Sequence, residues 1–505
     1  MSARLTAVGV GLACLLGAAC SAPPPPSASA PVPRDRAQSR HLLVVLDGLR
    51  PDYVTPALMP NLHALARRGV VFTDHHAVYP TVTRVNAASI ATGAYPETHG
   101  LLGNSVFFPR VDPARFLSTA ERANLLRIER AEAALLTAPT LGERLAGAGM
   151  RLLVASAGSS GSSYLLNHTV AGGGIIHYEY ALPAALGEAV RRRLGRPPPA
   201  ALPNRARNRY IVDAFLQIGL DRIDPAVAIL WLSDPDTTAH ARGIGHPTSV
   251  LALRAVDEEL GRLQDGLRAA GRLATFNIWV TSDHGFSTHT GGVNLDALLA
   301  PFAGELPDGT PRIVAGGGAV YVRDGDPDAV ARIVEALQGS DRIGAIFTRD
   351  GRVAGTLGLA DARWDHERAA DILYSPAWTD AENLYGYRGT SAAGGTAGHG
   401  SASPYDIHNA LIAAGPDLAV GSEVSLPTSN VDLAPTFLYL LGLAAAPTMA
   451  GRPLIEALAA GPDLPAAREP GEIAAATPDG GYRAVARTSA VFGRHYLDAA
   501  TAERP

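Results

Sequence analysis

The sequence predicts an α/β fold in which helices cover both faces of a doubly wound, mostly parallel β-sheet. Two apolar, largely β-branched runs, 41–46 and 277–281, have the composition of strands buried on both faces, and a third run spans 226–232. Helical patterns lie between these runs; one begins at Pro60 and is ended by Gly69. Strands that alternate with helices form parallel sheets, whose ligands gather at the carboxyl ends of the strands.

The composition of the chain is that of a large folded domain, and its net charge argues against a nucleic acid ligand. The chain has 505 residues, 47% of them hydrophobic, which is enough for a sizeable core. Its formal net charge of −5 gives no electrostatic reason to expect binding of a nucleic acid polymer. The basic run at 191–196 is followed by three prolines and is interpreted as a solvated connector.

Residues 1–20 have the pattern of an export signal: an early positive charge, an apolar centre and small residues before Cys20. The segment resembles a bacterial lipoprotein signal, so we expect a lipid on Cys20 and a periplasmic or outer-membrane-anchored protein. Ordinary cleavage, giving a soluble periplasmic or secreted protein, is the alternative. Both cysteines, Cys14 and Cys20, lie in this leader, so any metal in the mature domain must be bound by His and carboxylate.

The rest of the chain divides by composition into a tether, a main domain and an extension. Residues 21–40 are a Pro/Ser/Ala-rich tether. The main domain is expected at 41–460, with insertions at about 105–225 and 287–394 that could form a cap over a site. Residues 461–505 are expected to pack on this domain or to be partly flexible.

Five short segments together predict one site: 42–52, 79–104, 233–240, 280–286 and 395–400. Four of them end or follow strand-like runs, so the sheet would bring them to one edge. Their polar residues are the ligand types of divalent cations together with a hydroxyl and an amide, suited to attack on phosphorus. These residues are Asp47, Thr83, Asn104, Asp236, His240, Asp283, His284 and His399.

The spacing of the metal-ligand candidates supports that interpretation. Asp236 and His240 are four residues apart, which places both side chains on one side of a helical turn. Asp283 and His284 follow a strand directly, and His399 lies between glycines that permit close approach. Each pair alone is more often a turn or a cap. The complete ordered set favours a metal site.

Thr83 is the candidate nucleophile. It precedes a helical pattern at 84–92 that Gly93 can end, so its hydroxyl lies at a helix N terminus that favours anions. Thr81 is a rival two residues earlier, and either threonine could be a simple helix cap. Asn104 offers an amide N–H to a phosphoryl oxygen.

The ordered motifs resemble the nucleotide pyrophosphatase/phosphodiesterase family of the alkaline phosphatase superfamily. The resemblance runs from residue 41 to the 450s. It rests on D-G-x-R-x-D-Y at 47–53, P-T-x-T-x-x-N at 80–86, T-G-x-Y-P-E-x-H-G at 92–100, P-D-x-x-x-H at 235–240, S-D-H-G at 282–285 and G-H-G at 398–400. It implies an alkaline phosphatase-like fold and hydrolysis of phosphodiester or pyrophosphate bonds in nucleotides.

Two zinc ions per chain are implied by this resemblance, together with a phosphothreonine intermediate. One ion would be held by Asp236, His240 and His399. The other would be held by Asp47, Asp283, His284 and the Thr83 oxygen. Thr83 matches the family's nucleophile and is preferred over Thr81, while Asn104 and the backbone N–H after Thr83 would bind phosphoryl oxygens.

Two features depart from the family pattern. Arg84 stands where an aromatic residue usually follows the nucleophile, and it could add positive charge to the phosphate pocket or point to solvent. The aromatic slot for a nucleotide base has four candidates without further support: Phe107, Phe108, Tyr164 and Tyr178.

Several other functions remain open. A phosphomonoester, a phosphonate or a lipid head group could be the substrate at the same site, and a transferase would use the same first step. Sulfatases need a modified Cys or Ser where this chain has Thr83. A non-catalytic surface lipoprotein would be expected to have lost a ligand or the nucleophile. We expect a small phosphate ester as the partner and membrane contact only through Cys20; the sequence does not indicate an oligomeric state.

Overall fold

A computed structural model describes residues 39–462 and 466–504. The expected export signal, the lipidation at Cys20 and nearly all of the tether lie outside the described residues. Within the described part of the chain, no helix combines the length and the apolar composition needed to cross a membrane.

A nine-stranded sheet forms the centre of the molecule. Its strands, in spatial order, are β21 (Ser422–Val424), β2 (Val70–Phe72), β20 (Leu411–Ala414), β10 (Phe276–Thr281), β1 (Arg40–Leu46), β9 (Val227–Leu232), β6 (Leu152–Ser156), β7 (Gly174–His177) and β8 (Ala181–Leu182). The five strands from β10 to β7 are mutually parallel, whereas β20 and β8 pair antiparallel with their neighbours. The three strands predicted from sequence are β1, β9 and β10.

Alternate residues of the central strand β1 face two separate hydrophobic cores. Leu42, Val44 and Leu46 belong to one core, and Leu43 and Val45 belong to the other. Helices close both sides: α1, α8 and α11 pack on the first core, and α2, α5, α6 and α15 on the second. The predicted doubly wound α/β fold is therefore confirmed.

The helices vary from one turn to six. They are α1 (Pro60–Arg67), α2 (Thr83–Thr92), α3 (Pro96–His99), α4 (Arg122–Ala131), α5 (Leu141–Gly147), α6 (Ser160–Leu165), α7 (Ala184–Leu194), α8 (Arg205–Ala214), α9 (Leu220–Ile223), α10 (Asp236–Arg242), α11 (Pro247–Ala269), α12 (Leu295–Leu299), α13 (Pro327–Gln338), α14 (Pro404–Ile407) and α15 (Leu433–Leu440). A π-helical turn, Phe215–Gly219, joins α8 to α9. Short 3-10 helices span Pro51–Tyr53, Leu273–Thr275, Ala300–Phe302, Arg349–Gly351, Asn430–Asp432 and Ile455–Ala457.

Smaller sheets surround the central one. A five-stranded sheet contains β12 (Ile313–Gly316), β13 (Ala319–Val322), β16 (Ile372–Pro376), β14 (Ile343–Thr348) and β15 (Leu357–Gly358). A four-stranded sheet contains β17 (Trp378–Glu382), β18 (Arg388–Ser391), β11 (Ser287–His289) and β19 (Ala397–Gly398). Two strand pairs complete this set: β3 (His75–His76) with β22 (Thr428–Ser429), and β4 (Ser105–Val106) with β5 (Leu117–Ser118).

The last part of the chain forms a three-stranded antiparallel sheet of β23 (Glu469–Ala476), β24 (Arg483–Val491) and β25 (Arg494–Glu503). Ala484 and Ala486 of β24 share a buried cluster with Val320 and Phe347 of the five-stranded sheet. Strands β6, β7 and β8 lie within residues 105–225, so this range contributes to the central sheet as well as to the helices around it.

Candidate active site

The parallel strands bring the predicted site residues to one edge of the central sheet. Asp47 follows β1 directly, Asp236 begins α10 just after β9, and Asp283 and His284 follow β10. His399 follows β19, whose sheet lies next to α10. The backbone N–H of Asp236 donates to the carbonyl of Asp47, which ties the ends of β1 and β9 together.

Asp236, His240 and His399 form a first group whose ligand atoms lie within 4.8 Å of one another. The Nε2 atoms of His240 and His399 are 3.1 Å and 3.3 Å from Asp236 Oδ1. In each histidine Nδ1 lies at hydrogen-bond distance from a backbone carbonyl, 3.0 Å from Ala397 and 2.8 Å from Thr81 respectively. A donating Nδ1–H leaves Nε2 with its lone pair directed at the carboxylate, which is the state in which histidine binds a metal.

His284 is the centre of a second group. Its Nε2 lies 3.1 Å from Asp283 Oδ2, 3.2 Å from Thr83 Oγ1 and 3.6 Å from Asp47 Oδ1. Its Nδ1 is 2.9 Å from the carbonyl of Gly285, the same arrangement as in the first group. Ligand atoms of Asp47, Asp236 and His284 also lie within 4.8 Å of one another, so Asp236 belongs to both groups.

The carboxylates at this edge of the sheet each have an oxygen that is free to bind a cation. Asp47 Oδ1, Asp236 Oδ1 and Asp283 Oδ2 are buried and accept no hydrogen bond. The opposite oxygens of two of them are held in place: Asp47 Oδ2 accepts from Trp231 Nε1 at 2.9 Å, and Asp283 Oδ1 accepts from the Gly48 N–H at 3.2 Å. Buried, unpaired carboxylate oxygens facing imidazole lone pairs are costly unless a cation lies between them.

Burial and mutual repulsion perturb the pKa values of these groups. Burial raises the pKa of Asp47 well above its usual range, and the charges of Asp283 and Asp236 raise it further. Burial, aided by the neighbouring imidazoles, lowers the pKa of His399 to about 4. A neutral His399 suits metal binding.

Thr83 is the first residue of α2 and is buried at the base of the site. The backbone N–H of Arg84 donates to Asn104 Oδ1 at 3.0 Å, so Asn104 is fixed against the first turn of the helix. The rival residue Thr81 donates its hydroxyl to the Ser401 carbonyl and accepts the N–H of Gly400. These contacts commit Thr81 to the loop that carries His399, and they leave Thr83 as the hydroxyl beside the ligand atoms.

The position after His284 requires a glycine, Gly285, for a steric reason. A Cβ at this position would lie 2.1 Å from the Tyr405 carbonyl oxygen. The Gly285 N–H donates to the carbonyl of Asp406, so α14 packs directly against the main chain of the loop. This close contact holds the loop that presents the two ligands.

A cavity of about 380 Å³ opens from Thr83 and Asp47. Arg84, Tyr178 and Arg207 contribute charge and aromatic surface to its lining. The Arg207 guanidinium lies 4.1 Å from the Tyr178 ring centroid and donates through Nε to the Pro198 carbonyl at 3.1 Å. Nε of Arg84 is buried without a hydrogen-bond partner.

Of the four aromatic residues considered as base-stacking candidates, Tyr178 lines this cavity. Phe107 packs in an aromatic cluster with Phe116 and Tyr321. Phe108 is buried in the core next to Arg368, and Tyr164 faces Arg122.

Sequence reasoning missed Trp231 and Arg207. Trp231 lies within β9, where an aromatic residue predicts only core packing, and its role depends on the register that sets it beside Asp47. Arg207 lies among other arginines, at 205 and 209. The sequence pattern does not distinguish an arginine that lines a cavity from one that is solvated. Ser282, the first residue of the S-D-H-G motif, accepts the Leu49 N–H at 2.8 Å and lies 3.3 Å from Asp283 Oδ1.

Comparison with known proteins gives a consistent result. The family model described as type I phosphodiesterase / nucleotide pyrophosphatase matches residues 41–389. A venom phosphodiesterase of Macrovipera lebetinus is 27% identical over 267 residues, 51% of this chain and 27% of the relative. Human ectonucleotide pyrophosphatase/phosphodiesterase family member 1 is 27% identical over 246 residues, 48% of this chain and 23% of the relative. The matched part is thus about a quarter of the length of these relatives.

Among solved structures, murine ectonucleotide pyrophosphatase/phosphodiesterase 5 superimposes with a TM-score of 0.56 at 19% identity. The superposition covers 81% of this chain and 96% of that structure. An inactive form of the murine protein in complex with AMP gives a TM-score of 0.58. At this level of identity the likeness concerns the fold.

Proposed function

The chain belongs to the type I phosphodiesterase / nucleotide pyrophosphatase family, and on that premise we propose that it hydrolyses phosphodiester or pyrophosphate bonds of small nucleotides. The reaction would be zinc-dependent and would pass through a phosphothreonine at Thr83. The observation that carries this proposal is the position of Thr83 Oγ1, 3.2 Å from His284 Nε2, at a helix N terminus and in the lining of the cavity.

Two zinc ions are proposed for the two ligand groups. One would be held by Asp236, His240 and His399. The other would be held by Asp47, Asp283, His284 and the hydroxyl of Thr83. When bound, such ions lower the pKa of a coordinated hydroxyl or water and offset negative charge on the reacting phosphate.

The protein's own groups would orient the phosphate for attack by Thr83. Thr83, at the first position of α2, faces the cavity with the positive end of the helix dipole behind it. Asn104 is anchored by its Oδ1 to the Arg84 N–H, so its amide N–H₂ group is positioned as a donor to a phosphoryl oxygen. The leaving group would depart on the side opposite Thr83, and water would later attack the phosphothreonine from that side.

The part of the substrate beyond the phosphate would lie against Tyr178. Its ring is backed by Arg207 on one side and borders the cavity. An aromatic surface in the same cavity as the nucleophile suits a nucleotide base, since base–aromatic stacking contributes about 1–3 kcal/mol.

Substitution of Tyr178 tests that assignment. Tyr178→Ala is expected to raise KM for a nitrophenyl nucleotide diester about tenfold and to leave the rate on methyl nitrophenyl phosphate, which has no aromatic group in place of the nucleoside, nearly unchanged. Tyr180→Ala is the matched control, because Tyr180 lies in the same segment and its hydroxyl bonds to the Ser160 carbonyl. Equal losses on both substrates would contradict base stacking at Tyr178.

A second candidate function is favoured by Arg84. Arg84 lines the cavity beside Thr83 and its Nε is buried without a hydrogen-bond partner, so an extra cation there would suit the additional charge of a phosphomonoester or phosphonate. Comparison of nitrophenyl nucleotide diester with nitrophenyl phosphate decides between the two. We expect a diester preference, with Arg84→Ala lowering the monoester rate more than the diester rate; a monoester preference in the native protein would replace the first proposal by the second.

We also propose the domain organisation and location expected from the sequence. Residues 41–460 would form the catalytic domain, with insertions at about 105–225 and 287–394, and residues 461–505 an extension packed on it. Cys20 would carry the lipid that anchors the exported protein, at the end of the tether 21–40.

A further inference from the structure

A second set of histidines and aspartates lies apart from the residues of the candidate active site. Asp74 precedes β3, His76 is the second residue of β3, His408 follows α14 directly, and Asp498 lies on β25. One ligand atom from each of these four residues lies within 4.8 Å of all the others. They share no member with either group at the carboxyl edge of the central sheet.

Three separations among these atoms are compatible with one coordination sphere. His76 Nε2 is 2.8 Å from Asp498 Oδ1 and 3.6 Å from Asp74 Oδ1, and His408 Nδ1 is 3.7 Å from Asp74 Oδ1. A tetrahedral zinc ion with bonds of about 2.0–2.1 Å has donor–donor edges of about 3.3 Å. The observed distances bracket that value.

The surrounding contacts hold the ligand atoms in the required state. His76 Nδ1 is 2.8 Å from the Thr428 carbonyl, so a donating Nδ1–H leaves the Nε2 lone pair facing the carboxylates. Ser489 Oγ donates at 2.8 Å to Asp498 Oδ1, the same oxygen that lies 2.8 Å from His76 Nε2, and uses one of its two lone pairs. Arg468 contacts the other oxygen of each carboxylate, Asp74 Oδ2 at 3.1 Å and Asp498 Oδ2 at 2.7 Å. The Oδ1 atoms therefore remain directed at the two imidazoles.

We propose that Asp74, His76, His408 and Asp498 bind one divalent transition-metal ion. Two imidazole nitrogens and two carboxylate oxygens favour zinc among the ions of this class. Arg468 would act on the outer side of the carboxylates, fixing their orientation and limiting the net negative charge of the site. A protonated His76 that bridges the two aspartates is the competing arrangement, in which the cluster is an ion-pair network without a metal.

The location of this site gives it a structural consequence. It joins distant parts of the chain, since His76 and Asp498 are 422 positions apart. Asp498 belongs to the C-terminal sheet, and His76 lies seven positions before Thr83. The ion would fasten the C-terminal sheet to the segment that leads into the nucleophile, and its binding free energy would add to the stability of that contact.

Metal content of the purified full-length protein tests the proposal. After equilibration with zinc and removal of the excess, mass spectrometry should find one zinc fewer per chain in His408→Ala and in Asp498→Asn than in the native protein. His408 is suited to this test because its side chain is partly exposed, so its removal disturbs core packing little. His495→Ala, which removes an exposed histidine from the same strand as Asp498, should retain the native content.

A second measurement uses the native protein, so that the proposal can still be tested if a variant folds poorly. Crystals of the native protein grown with zinc should show an anomalous difference peak among the four side chains at the zinc edge. An unchanged zinc content in His408→Ala, or a native crystal without that peak, overturns the proposal and leaves the ion-pair network in its place. Because the readout is a difference of one ion at residues outside the candidate active site, it does not depend on the proposed hydrolase activity.

Discussion

Replacing Thr83 with alanine is expected to lower turnover of a nitrophenyl nucleotide diester by at least about 10³-fold, because the oxygen that would form the covalent intermediate is removed. Metal content and thermal unfolding should change little. The substitution takes away only the hydroxyl beside His284, and this histidine keeps its approach to Asp283 and to the Gly285 carbonyl. Steady-state rates, zinc content and a melting curve on one preparation provide the measurement.

Two further variants separate a nucleophile from a structural hydroxyl. Thr83→Ser should retain a measurable fraction of the native rate, since the hydroxyl is kept. Thr81→Val should cost stability more than chemistry, because Thr81 bonds to the Ser401 carbonyl and the Gly400 N–H. Ordinary activity in Thr83→Ala, or a loss confined to Thr81→Val, would assign the nucleophile elsewhere.

Asp236→Asn is expected to lower turnover about as much as Thr83→Ala does, but through the loss of bound metal. Asp236 is a proposed ligand of one ion, and its carboxylate also lies within 4.8 Å of the Asp47 and His284 atoms that would bind the other, so a neutral amide there weakens both proposed zinc sites rather than one. We expect a loss of more than one zinc per chain and a fall in rate of at least about 10³-fold. Asp283→Ala, which alters the second group alone, should lose fewer ions although its rate also falls.

The neighbouring carboxylate Asp234 is the matched control. It is buried, and its oxygens accept hydrogen bonds from the Asn204 N–H, Asn208 Nδ2 and Thr238 Oγ1. Asp234→Asn should therefore lower the melting temperature while leaving the zinc content close to native. If Asp236→Asn retained its metal and only lost stability, the metal assignment at this edge would be wrong.

Much of the fold was accessible from the sequence because the relevant signals are local. Buried parallel strands have continuous apolar runs, which gave β1, β9 and β10, and Gly93 at φ +62° ends α2 where the pattern placed it. The carboxyl-edge rule then placed Asp47, Asp236 and Asp283 near one another without any knowledge of the connections between strands.

The remaining features depend on contacts between distant segments, which leave no local pattern. Nothing near Asp236 in the sequence indicates that it lies in both ligand groups, since this follows from how α10 meets β1 and the His399 loop. The contact of Arg207 with Tyr178 in the cavity lining joins residues 29 positions apart. The four residues proposed as a further metal site come from three separate parts of the chain, and the pair at 75–76 alone predicts no metal.

The orientation of the three active-site histidines depends on main-chain atoms. His240, His284 and His399 each direct Nδ1 at a backbone carbonyl, those of Ala397, Gly285 and Thr81. Substituting a side chain at Ala397 or Thr81 leaves such a carbonyl in place, whereas inserting or deleting one residue in the same loop moves it. Homologous sequences and engineered libraries should therefore tolerate exchange of residue type at Ala397, which contributes only its carbonyl to this contact, much better than a change in the length of its loop.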